Sequence, residues 1–232
     1  MRSDALLSEV RGGTVSAERG VSFSERRRLY LLATLFFLLL AAGLGGLLVG
    51  SYELNPAEVV TVLAQRLTTW GGEAFQSVQT TIVWEIRLPR ILVAVLVGFA
   101  LGAAGTTYQG TFRNPLVEPF ILGVSAGASF GASLGILYPS LFASAYVSAL
   151  IFALAAVAIV YATSRIEGRN PIVALILTGV IVSSLFQALV SILKYTSDDA
   201  ALRAIVFWIM GGFYYSAWKD VTFLAPVILG GT

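Results

Sequence analysis

Residues 119–164 read PFILGVSAGASFGASLGILYPSLFASAYVSALIFALAAVAIVYATS, and no charged side chain interrupts them. At 1.5 Å per residue this run would reach about 69 Å as one helix, roughly twice a hydrocarbon core of about 30 Å. It must therefore fold back on itself, and Tyr138-Pro139-Ser140 is the place to turn. The stretch thus predicts a third span near Ile121–Leu137 and a fourth near Ala143–Thr163 of a polytopic α-helical membrane protein.

The same reading extends in both directions. Leu29 to Tyr52 carries no charge and supplies a first span near Leu29–Val49. Arg90 and Arg113 bracket the uncharged second, Ile91–Phe112, and Arg169 and Lys194 bracket the fifth, Pro171–Leu193. Ala204–Trp218 would reach only about 22 Å, and Gly211-Gly212 interrupts it, so a re-entrant or surface helix is expected there. Val221–Thr232 begins a further apolar run of about 18 Å. A protein rarely terminates inside the bilayer, so the sequence reads as the N-terminal portion of a longer one, ending within its sixth span. Residues 29–232 then form the transmembrane domain, preceded by an Arg-rich tail, Met1–Arg28.

Composition agrees. Of 232 residues, 57% are hydrophobic and 12% charged, about half the charge of an ordinary soluble domain. A chain so poor in polar residues needs lipid as its outer solvent. Arg26, Arg27 and Arg28 abut the first span, which by the positive-inside rule puts the N-terminus in the cytoplasm. Alternation assigns about nine Lys/Arg to the inside and about six to the longer outside segments. A cleaved signal peptide is set aside, because its apolar run would be too long and further spans follow. On the predicted outer side, Asn55-Pro56-Ala57-Glu58 carries the marks of a helix start, with Val59, Val60, Leu63 and Leu67 as the apolar face of a short surface helix.

Absences exclude chemistry. The chain has no Cys and no His, which removes thiolate and imidazole catalysis, zinc sites of the usual kind and disulfides. There is no Gly-x4-Gly-Lys-Ser/Thr loop, hence no P-loop nucleotide hydrolysis by this chain. No acidic residue falls mid-span, where an ion-coupled carrier would usually need one. No catalytic residue, metal site or cofactor is expected, and nothing suggests nucleic-acid binding.

Three features invite a function. Arg87-Leu88-Pro89-Arg90 puts two cations at the outer mouth of the second span. They sit at a helix start, where the dipole disfavours each by about 0.3–1 kcal/mol. They read either as snorkelling anchors or as a docking site for acidic groups of an extracytoplasmic partner. Next, Asn114-Pro115 and Pro119 forbid a continuous helix, and Gly123, Gly127 and Gly131 follow at the four-residue spacing that lets helices approach closely. This reads as a rigid turn joining two tightly packed spans. Finally, Gly179, Ser183, Gln187 and Ser191 recur every four residues of the fifth span, either to hydrogen-bond a neighbouring helix or to line a transport pathway.

Taken in order, Arg87-Leu-Pro-Arg90, Gln109-Gly, Arg113-Asn-Pro-Leu, Glu118-Pro, Leu122-Gly-Val-Ser125 and Trp208-Ile-Met-Gly-Gly212 resemble the FecCD-type permeases of ATP-binding-cassette importers. The likeness runs from about Leu29 to the end. It implies an all-α bundle of ten spans per subunit that carries iron–siderophore complexes, haem or cobalamin across the inner membrane. It also implies a second permease subunit, as a homodimer or a pair, two cytoplasmic ATPase subunits that use ATP and Mg, and an extracytoplasmic binding protein that delivers the substrate. By the same resemblance Arg87 and Arg90 dock that binding protein, Ser183, Gln187 and Ser191 line the route, and Gly211-Gly212 lies near an outer gate. Phe120 departs from the pattern, where a smaller residue is common, and the ATPase-coupling helices would lie beyond Thr232. The rivals are a secondary transporter or channel without an ATPase, and a membrane anchor that transports nothing.

Overall fold

The computed structural model describes residues 25–68, 77–142, 144–165 and 171–231; most of the Arg-rich tail and Trp70 lie outside them. The described residues are helical with no strand, and they fall into two units, Met1–Val83 and Trp84–Thr232.

In the first unit, α1 (Glu25–Leu48) starts four residues before the expected span and buries only Leu47. Its Leu and Phe side chains stand exposed, as a lipid-facing helix requires. Helix α2 (Pro56–Thr68) begins with a reciprocal cap. Asn55 Oδ1 accepts from the Ala57 N–H at 3.2 Å, and the Asn55 N–H donates to Glu58 Oε2 at 3.0 Å. Its buried face is Val59 and Val62; Val60, expected there, is 65% exposed, because the 100° step turns it away from Val59.

Helix α3 (Val78–Phe112) corrects the expected second span. The chain is already helical well before Arg87, first as α-helix, then as π-helix over Thr81–Arg87, then as α-helix from Leu88 onward. Pro89 has no N–H and its ring crowds the preceding turn, and the wider π turn accommodates it without ending the helix. Arg87 and Arg90 therefore lie within a helix, and the dipole penalty expected at a helix start does not apply.

Three helices build the core of the second unit: α4 (Val124–Leu137), α5 (Ala145–Ser164) and α6 (Pro171–Thr196). Ala126, Ala156, Val160, Val182 and Phe186 are buried together, and Phe130 meets Phe152 edge-on at 5.1 Å and Phe186 at 5.5 Å. Small residues at the α4–α5 contact explain its closeness. A Cβ on Gly127 would lie 2.5 Å from the Phe152 carbonyl oxygen, one on Gly131 would overlap that of Ser148, and one on Gly135 would come within 2.8 Å of Ala145 Cα.

The third span is shorter than expected. It starts at Val124 rather than Ile121, because Gly123 takes a left-handed φ of 75° as its N-cap. Fourteen residues reach about 21 Å, less than a bilayer core, so among the described residues four helices (α1, α3, α5 and α6) have the length and apolarity to cross. The hairpin after α4 falls where Tyr138-Pro139-Ser140 put it, and Ser144 caps α5 by accepting the Val147 N–H at 3.2 Å. Beyond α6, Asp198 caps α7 (Asp199–Met210), whose Ile205 is fully buried. The chain breaks at Gly211-Gly212 and resumes as α8 (Trp218–Gly231), which packs on α3. The expected Ala204–Trp218 segment is thus the end of one helix, a linker and the first residue of the next.

Candidate functional site

At the π-to-α junction of α3, Trp84 and Arg90 meet Tyr214 and Trp218, which lie more than a hundred residues further along the chain. Arg87 is only 8% exposed. One turn on, Arg90 donates from Nη2 to the Tyr214 carbonyl at 2.7 Å, while its Nε is buried with no hydrogen-bond partner among the described residues. Trp218, at the start of α8, donates its indole N–H to the Trp84 carbonyl at 2.9 Å, and the two indole rings lie 5.0 Å apart. The linker owes its shape to its glycines. Gly211 and Gly212 have φ of 71° and 156°, and a Cβ on Gly212 would run into the Tyr214 ring, whose hydroxyl reaches back to the Phe207 carbonyl at 3.4 Å. Asp220 fastens the linker's far end by accepting the Ala217 N–H at 2.9 Å.

The turn after α3 is held by its own backbone. Arg113 is left-handed at φ 49° and its N–H bonds the carbonyls of Gln109 and Gly110, closing the helix. Asn114 Oδ1 accepts the Leu116 N–H at 3.0 Å, so Pro115 sits inside an Asx turn. Pro119 lies 3.7 Å from where a Gly105 Cβ would be, which brings the turn against its own helix. Phe120 is half exposed, and its carbonyl accepts the Gly123 N–H at 3.0 Å. The end of this turn packs on α6: a Cβ on Gly123 would stand 3.1 Å from Ser183 Oγ, and one on Gly179 would overlap the Ile121 carbonyl.

The fifth-span stripe therefore divides. Gly179 and Ser183 meet the turn at Ile121–Gly123, whereas Gln187 and Ser191 stand exposed. Four residues advance a helix by about 400°, so each step rotates about 40° and the stripe drifts off the contact. Ser191 donates its hydroxyl to the Gln187 carbonyl at 2.9 Å, within its own helix. A primary amide at Gln187, halfway along an apolar helix, must face water or another protein surface.

Sequence reasoning placed the proline turn correctly, but it put the arginine pair at a helix start and the glycine contact between α3 and α4 rather than between α4 and α5. It missed the π-helix, the Trp84–Trp218 pair and Arg90's bond to Tyr214. The available signal was Pro89 inside an otherwise helical run.

Long apolar helices around a small-residue core define a multi-pass α-helical membrane protein. The model of the FecCD transport family matches residues 35–232, and the chain belongs to that family. Among curated relatives, the chain is 37% identical over 201 residues to MolB, a molybdate import system permease protein of Haemophilus influenzae, covering 86% of this chain and 59% of MolB. It is 40% identical over 152 residues to BtuC, a cobalamin import system permease protein of Halobacterium salinarum, covering 65% of this chain and 41% of BtuC. A solved structure assigned to the metal-chelate type of ABC transporter, in an inward-facing conformation, matches with a TM-score of 0.69 at 35% identity. That match covers 86% of this chain and 59% of the other, so the chain spans well under two thirds of the length of these relatives.

Proposed function

We propose that this chain is part of a membrane-spanning permease subunit of an ABC importer that carries a metal chelate (an iron–siderophore complex, haem or cobalamin) into the cell. The observation that carries this reading is the family match over residues 35–232, on a chain whose helices are apolar enough to cross a membrane. Relatives named for molybdate and for cobalamin support the importer class and leave the cargo among metal-containing anions and chelates. Ten spans per subunit, a paired permease, two ATPase subunits and an extracytoplasmic binding protein complete the proposed assembly.

In this mechanism the chain supplies a path and breaks no bond. Arg26–Arg28 hold the N-terminus on the cytoplasmic side, which puts Arg87 and Arg90 outside. There they receive carboxylates of the binding protein, Arg90 presenting more of its surface than the nearly buried Arg87. The loaded binding protein sets its cargo over a cavity that Gln187 and Ser191 help to line, their exposure on an apolar helix being what supports that place. ATP hydrolysed by the partner subunits then switches the side to which the cavity opens. The test is uptake by proteoliposomes holding the full-length subunit, with and without its ATPase partners. Uptake only in their presence is expected; equal uptake without them would make this a secondary carrier or channel.

A further inference from the structure

Two long-range hydrogen bonds tie the α7–α8 linker and the start of α8 to α3 beside Pro89. In the i→i+5 register of the π segment, the carbonyl of Trp84 points toward residue 89, and Pro89 has no N–H to offer it. The Trp218 indole N–H donates to that carbonyl at 2.9 Å, with the two rings 5.0 Å apart and tilted by 38°. Six residues beyond Trp84, Arg90 reaches the same linker through the Tyr214 carbonyl at 2.7 Å. Within itself the linker is bonded by the Ser216 N–H to the Phe213 carbonyl at 3.0 Å and by the Ala217 N–H to Asp220 at 2.9 Å, while Arg90 and Trp218 tie it to α3. Gly211 and Gly212 are free of Cβ restraint at one end, and Phe213, Tyr214 and Tyr215 are exposed.

We infer that Arg90 and Trp218 form a two-point latch that holds the Gly211–Ala217 linker and the start of α8 against the π break of α3, with Arg90 as a positioning residue for that linker. A guanidinium bonded to a neutral carbonyl is a releasable tie, since a carboxylate offers the same donor a stronger, charge-assisted bond. If Arg90 also docks an acidic partner, that partner and Tyr214 compete for it; this consequence rests on the docking reading, while the latch itself does not.

The latch is tested without any partner. Tyr215 is 82% exposed and none of the 232 residues is Cys, so Tyr215→Cys, in a full-length subunit with any cysteine outside these residues replaced by Ser, gives a single labelling site for a nitroxide. In lipid nanodiscs, Arg90→Met, which keeps length but donates nothing, is expected to raise the ratio of mobile to immobile label about tenfold, as the loss of one charged hydrogen bond would. Arg90→Lys keeps one donor and should fall between Met and the parent. Trp218→Phe keeps the ring but loses the N–H, and should raise the ratio about fivefold. Helix content by circular dichroism checks that each variant is folded. A folded Arg90→Met or Trp218→Phe protein whose label spectrum matches the parent overturns the latch, whatever the binding protein does at Arg87 and Arg90.

Discussion

Replacing Gly131 or Gly127 by alanine should separate α4 from α5, and the size of the effect follows from what each new methyl would meet. At Gly127 the Cβ would lie 2.5 Å from the Phe152 carbonyl oxygen and 2.9 Å from Ala156 Cβ, short of ordinary contact by about 0.9 Å. At Gly131 the obstruction is again backbone, the Ser148 carbonyl, with its carbon 2.7 Å away. Backbone of a helix cannot rotate aside as a side chain does, so the helices must part. Opening a packed surface by about 0.5–1 Å forfeits a quarter to a half of its dispersion attraction, and overpacking of this kind costs about 1–3 kcal/mol. The edge-on pair Phe130–Phe152 lies across the same contact and would loosen with it. Gly102 provides the control. It lies in α3, where an added Cβ meets nothing within 4 Å, so Gly102→Ala should gain up to about 1 kcal/mol from helix propensity. The expected gap between Gly131→Ala and Gly102→Ala is therefore about 1–4 kcal/mol, or roughly 2–16 °C in melting midpoint at about 2–4 °C per kcal/mol. Thermal unfolding of the purified full-length subunit in a single detergent measures it. Midpoints for Gly127→Ala and Gly131→Ala within about 1 °C of Gly102→Ala would refute the close helix contact.

Gly123→Ala should cost about 1–2 kcal/mol, from its left-handed φ of 75° and the approach to Ser183 Oγ, and Ser183→Ala in the same protein should restore about 0.5 kcal/mol of it; strict additivity in the melting midpoints would remove the predicted contact. Charge reversal of Arg87 and Arg90 to Glu should weaken binding-protein affinity by tenfold or more, read by surface plasmon resonance on nanodiscs, and unchanged affinity would end the docking reading.

The helical class was legible because charge is such a sparse signal here. Arg90, Arg113, Arg169 and Lys194 bracket uncharged runs of the right length, and Pro139 sits where the longest run has to fold. Glycine spacing announced a close helix contact but misassigned its partner. The turn was expected to join two tightly packed spans, α3 and α4, whereas Gly127, Gly131 and Gly135 meet α5 and Gly123 is the turn residue. A Cβ on Gly98 or Gly102 of α3 would meet nothing within 4 Å. What could not be read is what depends on residues distant in sequence. Arg90 bonds a carbonyl more than a hundred positions away, and Trp84 is matched to Trp218 across a similar separation. The π-helix was hidden for a local reason: Pro89 after two charged residues reads as a helix start, and only the surrounding packing makes it an accommodated interior proline. Likewise the four-residue polar stripe on α6 suggested one face, and the helical drift of about 40° per step splits it between a packed turn and an exposed surface.

The central claim is that the chain belongs to a permease driven by ATP hydrolysed in partner subunits. The most direct measurement is the uptake of labelled metal chelate into proteoliposomes carrying the full-length subunit, its binding protein and an ATPase partner whose hydrolysis can be switched off by a single active-site substitution. Uptake that falls to the level of empty liposomes with the inactive ATPase, and that ignores imposed proton or sodium gradients, is the predicted result. Uptake that survives loss of hydrolysis and follows an ion gradient would contradict it.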